Sequence, residues 1–419
     1  MATTFQIRPV TEDELPAFSY VDQQAFNERP GSARHRANWL ARLELDRTLG
    51  AFDGATLTGV TGVYSFRMRV PGAMAAVAGV SMVAVLPSHR RRGALTCLMH
   101  RQLADIAERG EAVAALFASE TPIYGRYGYG RASWHLHLEL ERGYGRLAAS
   151  APADPSVRLR IAEPRSAHAE MGKVYDLAMA ERPGLYARTE PWWDRLTHEP
   201  DSDSDQPMRC VLAEDDAGPR GYALFTSEGR WEWEEGSFLP SGVLDLHEAI
   251  AVDPAAATAL WSDLLSRDLV TTFRLHMLPV DDPLLDLLAD SRLGRPRLSD
   301  GLWIRLVDVG KALAQRRYAC PVDVVIEVND ELCPQNQGRW RLTAATTSAP
   351  SGFSGTCERT SAPADLVLPV RALGAAYLGG TRLGPLAAAG LVTEVTPGSV
   401  AALSTAMSWD PAPWCPMIF

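Results

Sequence analysis

The chain has 419 residues, 46% of them apolar and 22% charged, and a formal net charge of -10. That length exceeds the roughly 250 residues a single core supports, so several domains are expected, and the composition excludes a disordered chain. The acidic balance repels phosphate backbones, which excludes nucleic acid as a general partner, while it draws in cationic small molecules.

In chain order, residues 5–10 read as a strand. Thr11 followed by Glu14 forms a capping box for a helix running to Phe26. A second helix fits residues 33–43. Strand-like runs follow, LGAF, ATLTGVTGVYSFRMRV and AMAAVAGVSMVAVL, the last ending at Pro87. Residues 93–109 form an amphipathic helix with Leu95, Leu98, Met99, Leu103 and Ile106 on one face and Gly110 as its stop. AVAALFASE is a continuous apolar strand and RASWHLHLELE an alternating, half-buried one, closing the first domain.

AASAPADPS, residues 148–156, has the composition of a linker, and after it the pattern starts again. Residues 157–184 echo residues 5–31 down to a shared Glu-Arg-Pro-Gly, and LHEAIAVDPAAATALWSDLL parallels the strand–loop–helix around Pro87, aligning Pro254 with it. This predicts a diverged internal duplication. After its proline the first copy carries three arginines and a glycine, the second only alanines and a threonine. The acidic run PDSDSDQP (200–207) reads as an exposed loop. A third region from about residue 300 resembles neither copy. It mixes strand-like VDVVIEV and GRWRLTA with a loop, TTSAPSGFSGT, and a helix around GPLAAAGLV.

Two further exclusions concern setting. The start lacks the flank and apolar run of a signal peptide, and no stretch approaches the ~20 apolar residues of a membrane helix, so a cytoplasmic protein with no membrane partner is expected. The six cysteines form no C-x-x-C pair. They predict neither zinc nor a disulfide framework, but free, chiefly buried thiols.

The chemistry is concentrated in VSMVAVLPSHRRRGALTCLMHRQLADIAERG. A strand stops at a proline, a basic loop follows, and a glycine opens a helix whose first N–H groups have no partners; this arrangement binds anions. Arg90, Arg91 and Arg92 add positive charge, and Gly93 lets the backbone approach a bulky pyrophosphate. Neither a dinucleotide fingerprint nor a Walker lysine is present. Arg-x-x-Gly-x-[Gly/Ala] is the pyrophosphate loop of the GCN5-related N-acetyltransferases (GNATs), and Arg90 to Leu95 resemble it, with Leu95 where the general pattern has a small residue.

VAVLPSHRRRGAL together with FASETPIYGRYGYG is similar, more narrowly, to the enhanced intracellular survival (Eis) family, in which leucine at that position is normal. The resemblance covers nearly the whole chain. It implies an α/β (α+β) architecture of two tandem GNAT folds, the second degenerate, plus a sterol-carrier-protein-like domain, here residues 1–150, 151–299 and 300–419. It implies acetyl-CoA as cosubstrate, held by Val83, Ala84 and Val85, by Arg91, Arg92, Gly93, Ala94, Leu95 and Thr96, and by Ser119 and Glu120, with no metal. It makes Tyr124 the general acid and the carboxylate of Phe419 the general base. Phe26, Glu28 and Trp39, with Ile418 beside the terminus, are weaker substrate candidates. The implied substrates are amines of small polycationic molecules, aminoglycoside-like or polyamine. Peptide lysines, or a non-catalytic binding role for the carrier-like domain, are the alternatives. The implied assembly is a homohexamer.

Read from the residues alone, Tyr124, Tyr127 and Tyr129 are equivalent candidates for a proton donor. A tyrosine of pKa ~10 protonating a thiolate whose acid is near ~8.5 works uphill by about 2 kcal/mol, so the donor needs a modest shift or acts through a hydrogen bond. The terminal run PWCPMIF is apolar, and Trp414, Pro416, Met417, Ile418 and Phe419 are residues that would anchor a buried end. His135 and His137 alternate on one strand face without a third ligand nearby, so a structural role is expected. Trp231 and Trp233 share a strand face and read as core or interface.

Overall fold

The computed structural model describes residues 5–197, 206–234, 236–345 and 352–419. The acidic run therefore lies almost wholly outside the described residues, as does the first half of the Ser/Thr/Gly loop. Contacts divide the chain into two compact units: one of residues up to Ser133, Gly301–Pro413 and Met417–Phe419, the other of Trp134–Asp300 and Trp414–Pro416.

In the first unit the chain runs through β1 (Gln6–Pro9), α1 (Leu15–Phe26), α2 (Ala33–Leu40), β2 (Leu49–Asp53), β3 (Thr56–Val70), β4 (Ala73–Val85), α3 (Ala94–Glu108), β5 (Val113–Phe117), α4 (Thr121–Tyr124) and β6 (Gly130–Arg131). The capping box forms as the sequence predicts, with the Thr11 backbone N–H donating to Glu14 at 3.0 Å. On α3, Leu98, Met99, Leu103 and Ile106 are buried, and Gly110 ends the helix with φ +76°. β4 and β5 are parallel, as a connection through a helix requires.

The alternating strand forms as β7 (Trp134–Glu141), but in the second sheet and not the first. Its place beside β5 is taken from further along the chain. The second unit continues with β8 (Arg158–Ala162), α5 (His168–Glu181), α6 (Glu190–Thr197), β9 (Arg209–Asp215), β10 (Gly218–Glu228), β11 (Trp231–Glu234), β12 (Ser237–Pro240), β13 (Gly242–Ala251), α7 (Pro254–Leu265), β14 (Val270–Leu278) and β15 (Arg297–Asp300). The next strand, β16 (Leu302–Leu306), returns to the first unit and pairs along all of β5. The sheets are ordered β1-β2-β3-β4-β5-β16-β6 and β15-β7-β14-β13-β10-β9-β8. Alternation in a strand fixes which face is buried, not which sheet it joins.

The duplication is visible in the second sheet, where α7 connects the parallel pair β13 and β14 just as α3 connects β4 and β5. Trp231 and Trp233 are not core within the unit. They stand on the two-stranded β11–β12 hairpin, 56% and 62% exposed, with Trp233 edge-on to Phe238 at 4.9 Å. All six cysteines are free, and four of them are buried.

The third region adds a six-stranded sheet to the first unit, built on Val322–Asn329 and Gly338–Ala345, with helices Val309–Ala314, Val370–Ala376, Leu383–Ala388 and Ser399–Met407. Buried polar groups tie it to β16. Arg305 donates to Asp330 at 2.7 Å, Asn336 donates to Asp330 at 2.8 Å, and the Val309 N–H donates to Asn336 at 2.9 Å. Gly130 on β6 and Gly374 on the Val370–Ala376 helix sit backbone to backbone, where an added Cβ would collide with Arg371 and Ile304. Charge pairs this deeply buried persist only when each polar atom is answered, as most are here.

Candidate active site

The site is built on a parting of two strands. β4 and β5 pair only through Val77, Ala78 and Gly79 with Val113, Ala114 and Ala115, and then β4 runs on to Val85 without a partner on that side. A bulge drives the parting. Met82 has φ +53°, and the β3–β4 register slips between Val60 and Gly62. An added Cβ at Gly62 would strike the Met82 side chain, so glycine there makes room for the bulge. Unpaired strand backbone beside a cleft is a ready set of hydrogen-bonding groups for an extended amide-bearing ligand.

Val83, Ala84 and Val85 lie on this free stretch, with Ala84 buried and Val83 packed against the same buried cluster as Leu95, Ile123 and Trp303. Beyond it the loop turns through left-handed residues, Arg91 at φ +62° and Gly93 at φ +97°. Such residues turn successive N–H groups toward one point. Arg91 pays no visible penalty in contacts, being exposed, and Arg92 is held by Asp53 at 2.8 Å. The α3 N-terminus has no side-chain cap, and the first backbone bond of the helix runs from Cys97 back to Gly93. A Cβ built at Gly93 would meet open space. Open, uncapped N–H groups under a left-handed glycine can cradle a pyrophosphate.

The second copy differs at this place by one carboxylate. Asp253 caps α7, accepting from the N–H groups of Ala255 and Ala256 at 3.0 Å each, and Pro254 has no N–H to offer. The hydrogen bond from Arg220 holds its carboxyl below the usual range, so it stays charged. An anion arriving there would meet a fixed negative charge and no free donors.

The three tyrosines are separated by their surroundings. Tyr127 shares a hydrogen bond with Thr96 at 3.2 Å, joining the turn after β5 to the start of α3. Tyr129 is fully buried and its hydroxyl has no hydrogen-bond partner among the described residues. Tyr124 is buried against Tyr129, ring centroids 6.1 Å apart, with a hydrogen bond to Ser119. Burial pushes the Tyr124 hydroxyl up to about 12, against the lowering effect of Ser119. That direction is opposite to the one a proton donor needs. Transfer to a thiolate near ~8.5 becomes uphill by about 5 kcal/mol, which favours a hydrogen-bond role. Ser119 and Glu120 are exposed at the end of β5.

Phe419 lies at the fork itself. Its ring is edge-on to Phe66 of β3 and to Phe117 of β5, and a Cβ at Gly79, the last paired residue of β4, would sit 3.2 Å from it. Met417 is buried, whereas Ile418 is 48% exposed. Trp414 is buried in the second unit, donating from Nε1 to the Met277 carbonyl at 2.6 Å. His135 bonds there to the Cys415 carbonyl at 2.9 Å, and burial lowers it to about 4, so it is a neutral structural histidine.

Phe26 and Glu28 are exposed at the C-terminal end of α1. Trp39 of α2 donates from Nε1 to Met82 Sδ at 3.2 Å and stands 6.0 Å from Phe18. The weaker candidates therefore differ: Trp39 packs on the bulge residue, whereas Phe26, Glu28 and Ile418 are exposed. Sequence reasoning missed Met82 and Asp253, since neither residue type signals a bulge or a blocked helix start.

Comparison with known proteins identifies the family. An acetyltransferase (GNAT) domain family matches residues 6–132, a second one matches 184–306, and a sterol carrier protein domain matches 309–416. The chain is 32% identical over 395 residues to N-acetyltransferase Eis of Mycobacterium tuberculosis, covering 90% of each. It belongs to the Eis family of GNAT acetyltransferases. A relative described as an uncharacterized N-acetyltransferase, from Streptomyces avermitilis, is 42% identical over 417 residues, 99% of each chain. The crystal structure of Eis1 from Mycobacterium abscessus superposes with a TM-score of 0.82 at 34% identity, covering 99% of this chain and all of that one. As an Eis-family protein the chain is an acetyltransferase and takes its acyl group from an acyl-CoA. No helix among the described residues is long and apolar enough to cross a membrane.

Proposed function

We propose that the protein transfers acetyl from acetyl-CoA to primary amines of small polycationic molecules, polyamine-like or aminoglycoside-like. The observation that carries this reading is the fork between β4 and β5, flanked by the uncapped α3 start and closed by the Phe419 ring. Pantetheine would lie along the free edge from Val83 to Val85, and the pyrophosphate against Arg91 to Thr96. A neutral amine nitrogen attacks the thioester carbonyl, the C–S bond breaks, CoA leaves as thiolate, and the amine proton must pass to a base while the sulfur gains a hydrogen-bond donor. Tyr124, high in pKa and buried, suits donation to the sulfur without full transfer. The Phe419 carboxylate, on the residue whose ring lies at the fork, suits acceptance of the amine proton.

Two narrower proposals accompany this one. The division into a catalytic module, a degenerate copy and a carrier-like module assigns catalysis to the first, since Asp253 occupies the anion position of the second. Assembly into the family's homo-oligomer, proposed as a hexamer, gives the exposed Trp231, Trp233 and Phe238 hairpin an apolar surface to meet. A thiol-release assay with acetyl-CoA and a panel of amines tests the function. CoA release that depends on a polyamine or aminoglycoside is expected. No release with any amine, alongside saturable binding of an apolar ligand, would replace the enzyme reading with a carrier role.

A further inference from the structure

The second copy has lost the anion cradle but kept the fork. β13 pairs with β14 only from Gly242 to Leu246 and then runs on to Ala251 without a partner on that side. A cavity of about 110 Å³ lies against this free stretch, and every residue lining it belongs to the second unit. Ala249, Ile250 and Ala251 form one wall, Trp261 of α7 and Trp414 stand in others, and Asp282 supplies a carboxyl. Trp414 is fixed there at two points, its backbone N–H donating to the Pro183 carbonyl at 2.9 Å and its Nε1 to that of Met277 at 2.6 Å.

Asp282 is an acid without a full set of partners. It is only 7% exposed, and its Oδ1 accepts from the Leu284 N–H at 2.9 Å. Its Oδ2 has no hydrogen bond among the described residues, yet it is not sealed from solvent. A buried carboxylate with one oxygen unanswered calls for a donor, and a charged donor serves best. The charged groups that act on it offset each other, since Arg182 donates to Asp281 at 2.6 Å. Burial raises the Asp282 carboxyl to about 6, so at pH 8 it is an anion.

We propose that the fork of the second copy binds a small primary alkylammonium ion, anchored by Asp282. The ammonium donates to Oδ2 and the alkyl part lies among the apolar walls, with two indoles in the lining to face a cation. Size sets the class: a cavity smaller than the ~150 Å³ that holds benzene takes about four or five non-hydrogen atoms. Charge sets the sign, because Asp282 and the Asp253 cap both repel an anion. With the α7 donors taken, no CoA diphosphate is seated beside this fork, so the bound amine is held and not acetylated.

The experiment titrates the full-length protein at pH 8, without acetyl-CoA, with isobutylamine and with its uncharged analogue isobutanol. Calorimetry gives the affinities, and the indole N–H resonances of Trp261, Trp414 and Trp39 give the place. Saturable millimolar binding of isobutylamine is expected, about tenfold tighter than isobutanol, the size of effect of one charge-assisted hydrogen bond. The Trp261 and Trp414 resonances should move and that of Trp39, in the first unit, should not. Asp282→Asn should unfold cooperatively and bind the two compounds equally. Ala257→Leu, which keeps the acid and fills the cavity from α7, should bind neither. Equal affinity of the wild-type protein for both compounds, an amine preference that survives in Asp282→Asn, or binding that survives in Ala257→Leu overturns the proposal. So does a shift confined to Trp39, which would place the amine in the first unit instead.

Discussion

The ring of Phe419 stands edge-on to that of Phe66, centroids 4.8 Å apart, over the point where β4 and β5 separate. An edge-on aromatic pair contributes roughly 1 kcal/mol beyond the area it buries, enough to fix a side chain that is itself only half-buried. With Phe117 on the other side the ring is held by two strands that diverge beneath it. Extending the chain by one glycine after Phe419 moves the carboxylate by a residue without removing the ring. Turnover should fall by about 100-fold with acetyl-CoA affinity unchanged, the size of effect expected for losing a positioned base. Wild-type turnover in the extended chain would exclude the carboxylate as the base.

Gly93 and Asp253 make opposite statements about the two helix starts. Gly93→Ala places a methyl in open space but forces an L-residue into a left-handed conformation, at about 1 kcal/mol. A several-fold rise in the KM for acetyl-CoA is expected, with only a small fall in Tm. Calorimetric titration of the unmodified protein should give one equivalent of acetyl-CoA per chain, because the α7 donors are already taken by Asp253. Two equivalents would show that the second copy still binds.

Asp22 of α1, whose Oδ1 is buried without a hydrogen bond among the described residues, couples stability to pH. Burial, aided by the charge of Glu28, raises its carboxyl to about 6. The folded protein therefore holds a proton that the unfolded chain, near ~3.9, releases, so this stabilising contribution is complete below pH ~4 and is lost as pH rises through 6. Asp22→Asn should be more stable than the wild-type protein at pH 8, by roughly 2–3 kcal/mol, with the difference shrinking toward pH 4. Chemical denaturation at both pH values measures it. Equal stability at pH 8 would mean that the carboxylate is not desolvated.

In the second unit a buried ion pair does structural work. Arg188 meets Glu248 through two hydrogen bonds of 2.8 and 2.5 Å, Tyr222 donates to the same carboxylate at 2.5 Å, and the guanidinium lies 3.9 Å from the centroid of Tyr175. Removing one partner strands the other charge away from water. Glu248→Leu should cost about 3–5 kcal/mol, whereas the double replacement of Arg188 by Met and Glu248 by Leu should recover much of it. Unfolding curves for the three proteins decide this, and equal losses in the single and double variants would contradict it.

Much of the fold was legible because local signals and the tertiary outcome agree. Thr11 and Glu14 announce a helix start in their side-chain chemistry, and the α3 stripe from Leu95 to Ile106 announces its buried face. The repeated strand–proline–helix pattern around Pro87 and Pro254 carries the duplication. What could not be read depends on partners distant in sequence. Trp134–Glu141 alternates equally well in either sheet, and only β14 and β15 decide where it goes. Met82 belongs to a residue type that rarely takes positive φ, so the bulge that opens the fork has no signature in the strand that contains it. Asp22 falls on an apolar stripe and reads as a simple interruption until its buried Oδ1, unbonded among the described residues, is seen.

The return of β16 to the first sheet sets a condition on biosynthesis. β5 emerges from the ribosome long before Leu302–Leu306 exists to cover it, and for all of that interval its outer edge offers unpaired backbone groups to any neighbour. The first sheet cannot close in a translated N-terminal fragment, and a chain stalled between β7 and β15 carries a sticky, half-finished sheet. Premature termination in the middle of this sequence would yield an aggregating product, not a smaller enzyme.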